Sequence, residues 1–297
     1  MLGMNKQFGV REIANVVLKA KADMEIGTTK FKAGEPVLYF DTLKTSTVEG
    51  AATTVYATGG RGNARLVSWD GERTITFTME DALISPMGLA ILAGAGLVKQ
   101  PTGVAHFTER LTVDANGAVG LTYNPAKVTA TTGDSWAHPV YFAKVDDDGS
   151  LPDTLAKATY AEATKDDDTG KYKLTLTDSA STENAVSLTQ GDVVFVDYYA
   201  TTDILNIDIE PGKFSGNFYL EAATLFRDTD GKDHAAEFII PNCRVQSNFT
   251  FTMAATGDPS TFTFTMDAFP GYTVYDKTKK VLCAIQVLGD GGNAQGE

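Results

Sequence analysis

An alternation with a period of two residues constrains the fold of this chain most strongly. Threonines alternate with large apolar residues at 73–79, 249–253 and 261–266, and similar patterns occupy 171–177 and 192–199. Successive side chains of a strand point to opposite faces of a sheet, so these segments are typical of half-buried antiparallel strands. The sequence therefore predicts an all-β fold of packed antiparallel sheets, as a sandwich or a barrel.

Short polar motifs separate the predicted strands. Turn signals occur at Trp69-Asp-Gly71, Ala115-Asn-Gly117, Asp148-Gly149, Asp230-Gly231 and Gly257-Asp-Pro259. Glycine, asparagine and aspartate favour the backbone conformations that tight turns require. The last of these motifs lies between two similar Phe-Thr-Phe-Thr-Met segments, which predicts a hairpin.

One short helix is expected near residues 80–93. Glu80-Asp81 places two acids at a possible first turn, Ser85-Pro86 offers a second start, and glycines follow the apolar residues that would form the helix. A weaker helical pattern covers Val10–Lys21, where a strand beginning at Asn15 competes with it.

Composition changes in the middle of the chain. Residues 125–202 are richer in Asp, Ala and Gly, with acidic turns at 146–149 and 166–170. We therefore expect a small inserted β domain at 125–202, flanked by one β core built from residues 1–124 and 203–297.

The acidic charge limits the partners of the protein. With 38 Asp and Glu against 25 Lys and Arg, the formal net charge is −13. Such a chain repels nucleic-acid phosphates, which disfavours specific DNA binding.

The longest apolar run, at 87–98, is rich in glycine and too short for a bilayer, and the N-terminal sequence does not have the pattern of a secretory signal. We expect synthesis in a cytoplasm and no membrane partner.

Candidate ligands for metals or cofactors are few. Cys243 and Cys283 lie in strand patterns with no Cys or His at metal-ligand spacing nearby, so buried thiols are expected and a disulfide is the alternative. The triple aspartates at 146–148 and 166–168 do not have EF-hand spacing, which leaves solvated turns or an adventitious cation site. No cofactor is predicted.

Catalytic constellations are also scarce. The three histidines, His106, His138 and His234, lie beside probable strands or turns, where surface or packing roles are usual. The motifs of serine hydrolases, zinc proteases and phosphate loops do not occur. Carboxylate pairs are expected by chance, and the two tryptophans are few for a sugar-cleaving groove. The sequence therefore predicts that the protein is not an enzyme.

The edges of the predicted strands suggest a different role. Residues 73–79 and 262–266 contain no lysine or proline that would block pairing with another chain. Such strands lie either inside an ordinary sandwich or in sheets that continue between molecules. The candidate self-assembly residues are Arg73, Ile75, Phe77, Met79, Phe249, Phe251, Met253, Phe262, Phe264 and Met266.

Two blocks of the sequence resemble tail tube proteins of long-tailed bacteriophages. The first is GNARLVSWDGERTITFTMEDALIS at 62–85. The second runs from KFSGNFYLEAATLFRD at 213–228 through FIIPNCRVQSNFTFTM at 238–253 to Met266.

This resemblance implies packed antiparallel sheets with a flanking helix, and six copies per ring whose strands close into one barrel around a channel. Stacked rings would carry the genome from the head to the cell, and genomic DNA would pass without specific binding. Possible partners are tail sheath, baseplate hub and tail terminator proteins of the virion. The acidic composition agrees, because a negatively charged wall repels DNA.

Two rival functions stay open. A capsid decoration or baseplate protein of the same virion would share this composition without forming long tubes. A carbohydrate-binding β module would use Trp136, Tyr141 and the acidic turns as a sugar or calcium site.

Overall fold

A computed structural model describes residues 6–289, with gaps at 11, 95, 126–139, 153–154, 158–162, 179–185, 252–254 and 257–260; for residues 96–101 it describes the backbone only. Strands dominate this part of the chain and form several packed antiparallel sheets. The predicted all-β fold is therefore confirmed.

The strands are numbered in chain order, and one helix lies among them in the described residues. The first group is β1 Phe8–Val10, β2 Asn15–Ala20, β3 Met24–Ile26, β4 Thr29–Phe31, β5 Pro36–Phe40, β6 Leu43–Gly59, β7 Ala64–Asp81 and helix α1 Pro86–Ala93. The middle group is β8 Gly96–Thr112, β9 Ala118–Leu121, β10 Tyr141–Lys144, β11 Ala156–Lys157, β12 Thr164–Lys165, β13 Tyr172–Thr175 and β14 Val193–Asp208. The last group is β15 Asn217–Asp228, β16 Asp233–Val245, β17 Phe262–Ala268 and β18 Ala284–Val287.

The chain divides into two compact units. The first consists of Met1–Val98 and Ile207–Glu297, and the second of Lys99–Asn206. The sequence interpretation places the corresponding boundaries after residues 124 and 202, and that division into domains stays a prediction.

The first unit contains a nine-stranded sheet. Its order is β5-β2-β15-β16-β17-β7-β6, while β1 also pairs with β15 and β18 with β16. Apolar side chains from one face of this sheet pack together with α1. The largest fully buried ones in this core are Leu18, Phe77, Met79, Ile91, Leu92, Phe218, Leu220 and Phe264.

The period-two pattern gives the correct buried face where strands lie in this sheet. On β7, Phe77 and Met79 are buried while Thr76 and Thr78 are partly exposed. The opposite strand β17 repeats the pattern, with Phe264 paired to Met79. Threonine thus lies on the outer face of the sheet, as the alternation predicts.

Helix α1 is shorter than the predicted helix at 80–93. Glu80 and Asp81 belong to β7, because that strand keeps its pairing with β17 and β6 as far as Asp81. The helix begins after Ser85, whose Oγ accepts a hydrogen bond from the N–H of Gly88 at 2.9 Å. It ends at Gly94, which adopts a left-handed conformation.

Three further local expectations need correction or qualification. Trp69-Asp-Gly71 is not a turn, because β7 continues through it. Residues 246–251 form no strand, so the first half of the predicted hairpin is not seen there, and Met253 lies outside the described residues. The segment from Asn15 is a strand and not a helix.

The second unit has its own core and two small sheets. The sheet orders are β11-β10-β14-β8 and β12-β13-β9. Their shared core includes Leu121, Phe142, Leu174, Val196 and Tyr198. Across the described part of the whole chain, no helix has the length and apolarity needed to cross a membrane.

Candidate assembly site

The outer halves of β6 and β7 form a two-stranded ribbon at residues 49–74. The two strands pair from Leu43 opposite Asp81 to Gly59 opposite Ala64, but β17 pairs with β7 only from Thr76 onward. Every ribbon residue is exposed except Ala57 and Gly59, which are partly buried. At 3.3 Å per residue, the ribbon extends for roughly 30 Å. An isolated two-stranded hairpin is marginally stable in water, so contact with another surface would stabilise this element.

A β-bulge lies at the base of the ribbon. Ala52 pairs with Arg73 and Thr54 with Asp70, so Gly71 and Glu72 together face the single residue Thr53. The N–H of Glu72 donates to Thr53 Oγ1 at 2.9 Å. A Cβ atom on Gly71 would lie 2.4 Å from Thr53 Oγ1, so this close approach requires glycine.

The bulge transfers the apolar stripe of the hairpin to the opposite face. On the side of the bulge nearer to β17, Phe77 pairs with Val48 and faces the core. Because β6 continues its alternation while β7 gains one residue, the pairs beyond the bulge that face away from the core are Val55 with Trp69 and Ala57 with Val67. The polar side chains of Thr54, Tyr56, Ser68 and Asp70 occupy the other face.

The apolar face of the ribbon is open to solvent. The exposed fractions of Val55, Val67 and Trp69 are 61%, 50% and 55%. Contiguous exposed apolar surface is a common feature of interaction sites. Since this face points away from the core of the first unit, the ribbon is a candidate surface for contact with another molecule.

The tip of the ribbon is positively charged. Between residues 57 and 66 the chain carries Arg61 and Arg65 and no acid, in contrast to its net charge of −13. The guanidinium of Arg65 lies 4.1 Å from the centre of the Tyr56 ring, which holds its stem along the polar face. Gly60, Gly62 and Asn63 have positive φ angles of 77°, 92° and 51° and form the turn.

The outer edge of β6 adds a second feature suited to assembly. Strand β6 ends the order of the nine-stranded sheet, and within the described residues only β7 pairs with it. Lys44 is the single lysine of this 17-residue strand, and it lies near the strand's start. Such a long edge offers backbone donors and acceptors to a neighbouring chain.

A family model described as the YomU/Tube protein family matches residues 8–281 of the sequence. The chain belongs to this family. No curated protein matches the sequence significantly. The matched range encloses both compact units, and it confirms the resemblance to phage tail tube proteins that blocks of the sequence show. A member of the YomU/Tube family is a tube-like structural protein, which favours a role without catalysis.

The residues proposed from sequence divide between the core and the surface of this YomU/Tube protein. Phe77, Met79, Phe264 and Met266 are buried, so their side chains hold the monomer together. The others are partly or fully exposed where they are described: Ile75, Phe249 and Phe262 pack at the margin of the core, Arg73 belongs to the ribbon, and Phe251 is exposed.

The sequence interpretation missed the apolar face of the ribbon. Val55, Val67 and Trp69 were not proposed, since the Trp-Asp-Gly motif resembles a turn that would end the strand. The sequence does not show how β6 pairs with β7, and only this pairing, with Gly71 and Glu72 opposite Thr53, identifies Gly71 as part of a bulge.

One buried ionisable group outside the ribbon, Asp228, has several structural partners. The buried carboxylate of Asp228 accepts hydrogen bonds from Lys6 Nζ at 2.6 Å, His234 Nε2 at 2.9 Å and the N–H of Lys232 at 2.9 Å. These donors, Lys6 first, hold the pKa of Asp228 well below its usual range. The cluster fastens β1 to the turn between β15 and β16.

The acidic turns, the cysteines and the histidines make structural contacts where the structure describes them. In the acidic turns, Asp166 accepts bonds from Lys173 and from backbone N–H groups, and no cluster of three or more potential metal ligands occurs among the described residues. Both cysteines are free, and burial raises the pKa of the Cys243 thiol to about 12. His106 Nε2 and Asp197 Oδ1 share a hydrogen bond, while Trp136 and His138 lie outside the described residues.

Proposed function

We propose that this protein is the subunit of a bacteriophage tail tube, assembling as stacked hexameric rings around a negatively charged channel for the genome. The exposed amphipathic ribbon carries the proposal, because its apolar face has no partner in the described part of its own chain. Membership of the YomU/Tube family supports a tube-like assembly.

Lateral contacts within a ring would use strand edges. The outer edge of β6 would pair with an edge strand of the next copy, so that six sheets close into one barrel. Closure of a barrel removes unpaired edges, which otherwise cause open-ended aggregation. This mode of association needs backbone groups mainly, which is consistent with the small side chains of β6 at Gly50, Ala51 and Ala52.

Contacts between rings would use the ribbon. Burying a large apolar side chain contributes about 1.5–3 kcal/mol, and each copy offers Val55, Val67 and Trp69. Six such contacts per ring would act together, so weak individual ribbons could hold a stable tube.

The channel would be a passive conduit. A net charge of −13 per copy repels DNA, so any part of that charge on the inner wall would let the genome pass without sticking. The protein would act in the virion tail without catalysis. Its other partners would be the sheath, the baseplate hub and the tail terminator.

Negative-stain electron microscopy of the purified protein, combined with light scattering, tests the proposal. We expect tubes of regular ring spacing, or six-fold rings at low concentration. Compact particles that never stack would favour a decoration or baseplate protein. Monomers that persist at high concentration, with or without binding of glycans or calcium, would contradict the tube assignment.

A further inference from the structure

The nine-stranded sheet folds over on itself and therefore has two outward faces. Phe40 of β5 and Phe264 of β17 lie in distant strands of the sheet order, yet their ring centres are 5.0 Å apart in the core. The core faces of β5 and β17 are thus opposed. The outer sides of the two halves of the sheet point in opposite directions, so only one of them can line a channel.

The outward face of β6, β7 and β17 has a uniform composition. The register places three rows of side chains across these strands, on the side opposite to Phe77 and Met79. The rows are Thr45–Glu80–Thr263, Thr47–Thr78–Thr265 and Glu49–Thr76–Asp267. All nine positions are exposed or partly exposed. This surface, the threonine face, carries only hydroxyl and carboxylate groups at these positions.

The outward face of the other half of the sheet is mixed in composition. Val17 of β2 lies between Tyr39 of β5 and Glu221 of β15, and Lys19 forms an ion pair with Glu221. Tyr39 is 54% exposed. Lysine and exposed aromatic side chains give a passing nucleic acid points of attachment. The nine positions of the threonine face give none.

The composition of the threonine face changes at the bulge of the ribbon. Alternation puts Glu49 and Val55 on the same side of β6, and Val55 pairs with Trp69 beyond the bulge. The polar part ends at the row of Thr76, where the pairing of β17 with β7 also ends. A part of the face that stays in water is therefore separated from a part that a neighbouring ring would cover.

The direction of the wall follows from the position of the core. If the outer edge of β6 closes the ring, then β6, β7 and β17 form the wall of the barrel. Their inner side carries α1 and the apolar core of the first unit, and six copies of that bulk would block a channel.

We infer that the threonine face lines the channel and faces the DNA duplex that passes through it. Within the described part of the chain, Glu49 and Glu80 have no ion-pair partner, so their charges act on the phosphates opposite them. The threonine hydroxyls bind water and carry no charge. This inference rests on the proposed tube, and it specifies which surface the genome meets.

Mercury labelling of assembled tubes tests the assignment. Thr78→Cys and Tyr39→Cys tubes are treated with methylmercury, and their radial density is measured by electron cryo-microscopy. Equally treated unmodified tubes supply the background from the free cysteines Cys243 and Cys283. We expect the extra density of Thr78→Cys at the wall of the channel and that of Tyr39→Cys at a larger radius. Equal radii or the reverse order would overturn the inference.

Added lysines give a second test with a functional readout. Tubes of the double variant Thr47→Lys and Thr265→Lys are assembled with a labelled DNA duplex, treated with nuclease and sedimented. We expect at least about tenfold more nuclease-protected DNA than in unmodified tubes, because every ring gains cations that face the channel. Tyr39→Lys is the matched control on the other outward face and should protect no more DNA than unmodified tubes. Equal protection by the double variant and this control would contradict the assignment.

Failure of the tube proposal is distinguishable from failure of this inference. If the unmodified protein does not assemble, the proposed function fails and the inference fails with it. If tubes form but the label at position 78 lies away from the channel, only the lining assignment is wrong. Thr47→Cys and Thr265→Cys replace Thr78→Cys if that variant does not assemble. If all three melt like the unmodified protein without assembling, a partner covers the threonine face, which also overturns the inference.

Discussion

At the scale of single residues, Gly71 controls the geometry of the ribbon. Its position opposite Thr53 leaves no room for a side chain, and the bulge it permits turns the apolar stripe away from the core. A change at this residue therefore acts on the surface offered to a partner, while the buried residues of the first unit stay packed.

We predict that Gly71→Ala impairs assembly more than folding. A Cβ atom would lie 2.4 Å from Thr53 Oγ1, so the bulge must shift and displace Val55 and Trp69 from their register. Sedimentation velocity should show a loss of large particles, with little change in the melting temperature of the monomer. Gly212→Ala is the control, since no atom lies within 4 Å of the added methyl. Equal effects of both variants would refute the role of the bulge.

The buried carboxylate of Asp228 gives a prediction about pH. Its pKa is lowered in the folded protein by Lys6, His234 and the N–H of Lys232, so it stabilises the fold above the ordinary aspartate pKa. This stabilisation is lost as the pH falls through about 3.9, the unfolded value, toward the lower folded value. Asp228→Asn should therefore lower the melting temperature clearly at pH 7 and progressively less below pH 4.

Asp230→Asn is the matched control for this measurement. Asp230 is largely exposed and lies 3.6 Å from Lys6 Nζ, so its loss should change the melting temperature little at any pH. If the two variants behave alike, the Asp228 cluster does not fasten β1 as described.

At the scale of elements, the ribbon is separable from the core that supports it. Its residues are exposed, whereas the strands beneath it contribute Phe77 and Met79 to the core. Substitutions on its apolar face should thus change association without a large effect on the monomer.

We predict that Trp69→Ser combined with Val55→Thr yields a folded protein that no longer forms tubes. Exposed substitutions usually change the free energy of unfolding by about 0.5 kcal/mol or less, since no core contact is lost. Light scattering should give small oligomers, and chemical denaturation should give a midpoint close to that of the unmodified protein. Tyr56→Ser on the polar face is the control. Normal tubes from the double variant would contradict the role assigned to the ribbon.

The sequence predicted well those elements whose secondary structure and buried face follow from side-chain periodicity alone. Residues 73–79 and 262–266 form strands whose apolar residues are buried or pack at the margin of the core, because one face meets the core. The predicted start of the helix was wrong and the ribbon was missed, because both features depend on pairing with neighbouring strands. Pairing with β6 extends β7 as far as Asp81. Because Gly71 and Glu72 lie opposite Thr53, the segment after Trp69 is a bulge within β7 and not the turn that the sequence suggests.

At the scale of the whole molecule, the described features fit a protein that completes its structure by association. In the first unit, the outer edge of β6 pairs with no other described strand and the amphipathic ribbon is exposed, and the chain as a whole is acidic. Composition predicted the charge, and local alternation predicted the fold class. The assembly surface could not be predicted from either, since it depends on which face of β6 and β7 remains uncovered.

Amide hydrogen exchange of the ribbon tests the central claim most directly. Peptides covering residues 49–74 should exchange rapidly in the Trp69→Ser and Val55→Thr variant, which forms no tubes, and slowly in assembled unmodified protein, because a partner then covers them. Peptides from the core strand β15 should be protected in both. Rapid exchange of the ribbon inside assembled particles would show that it remains free, and that the association described here is wrong.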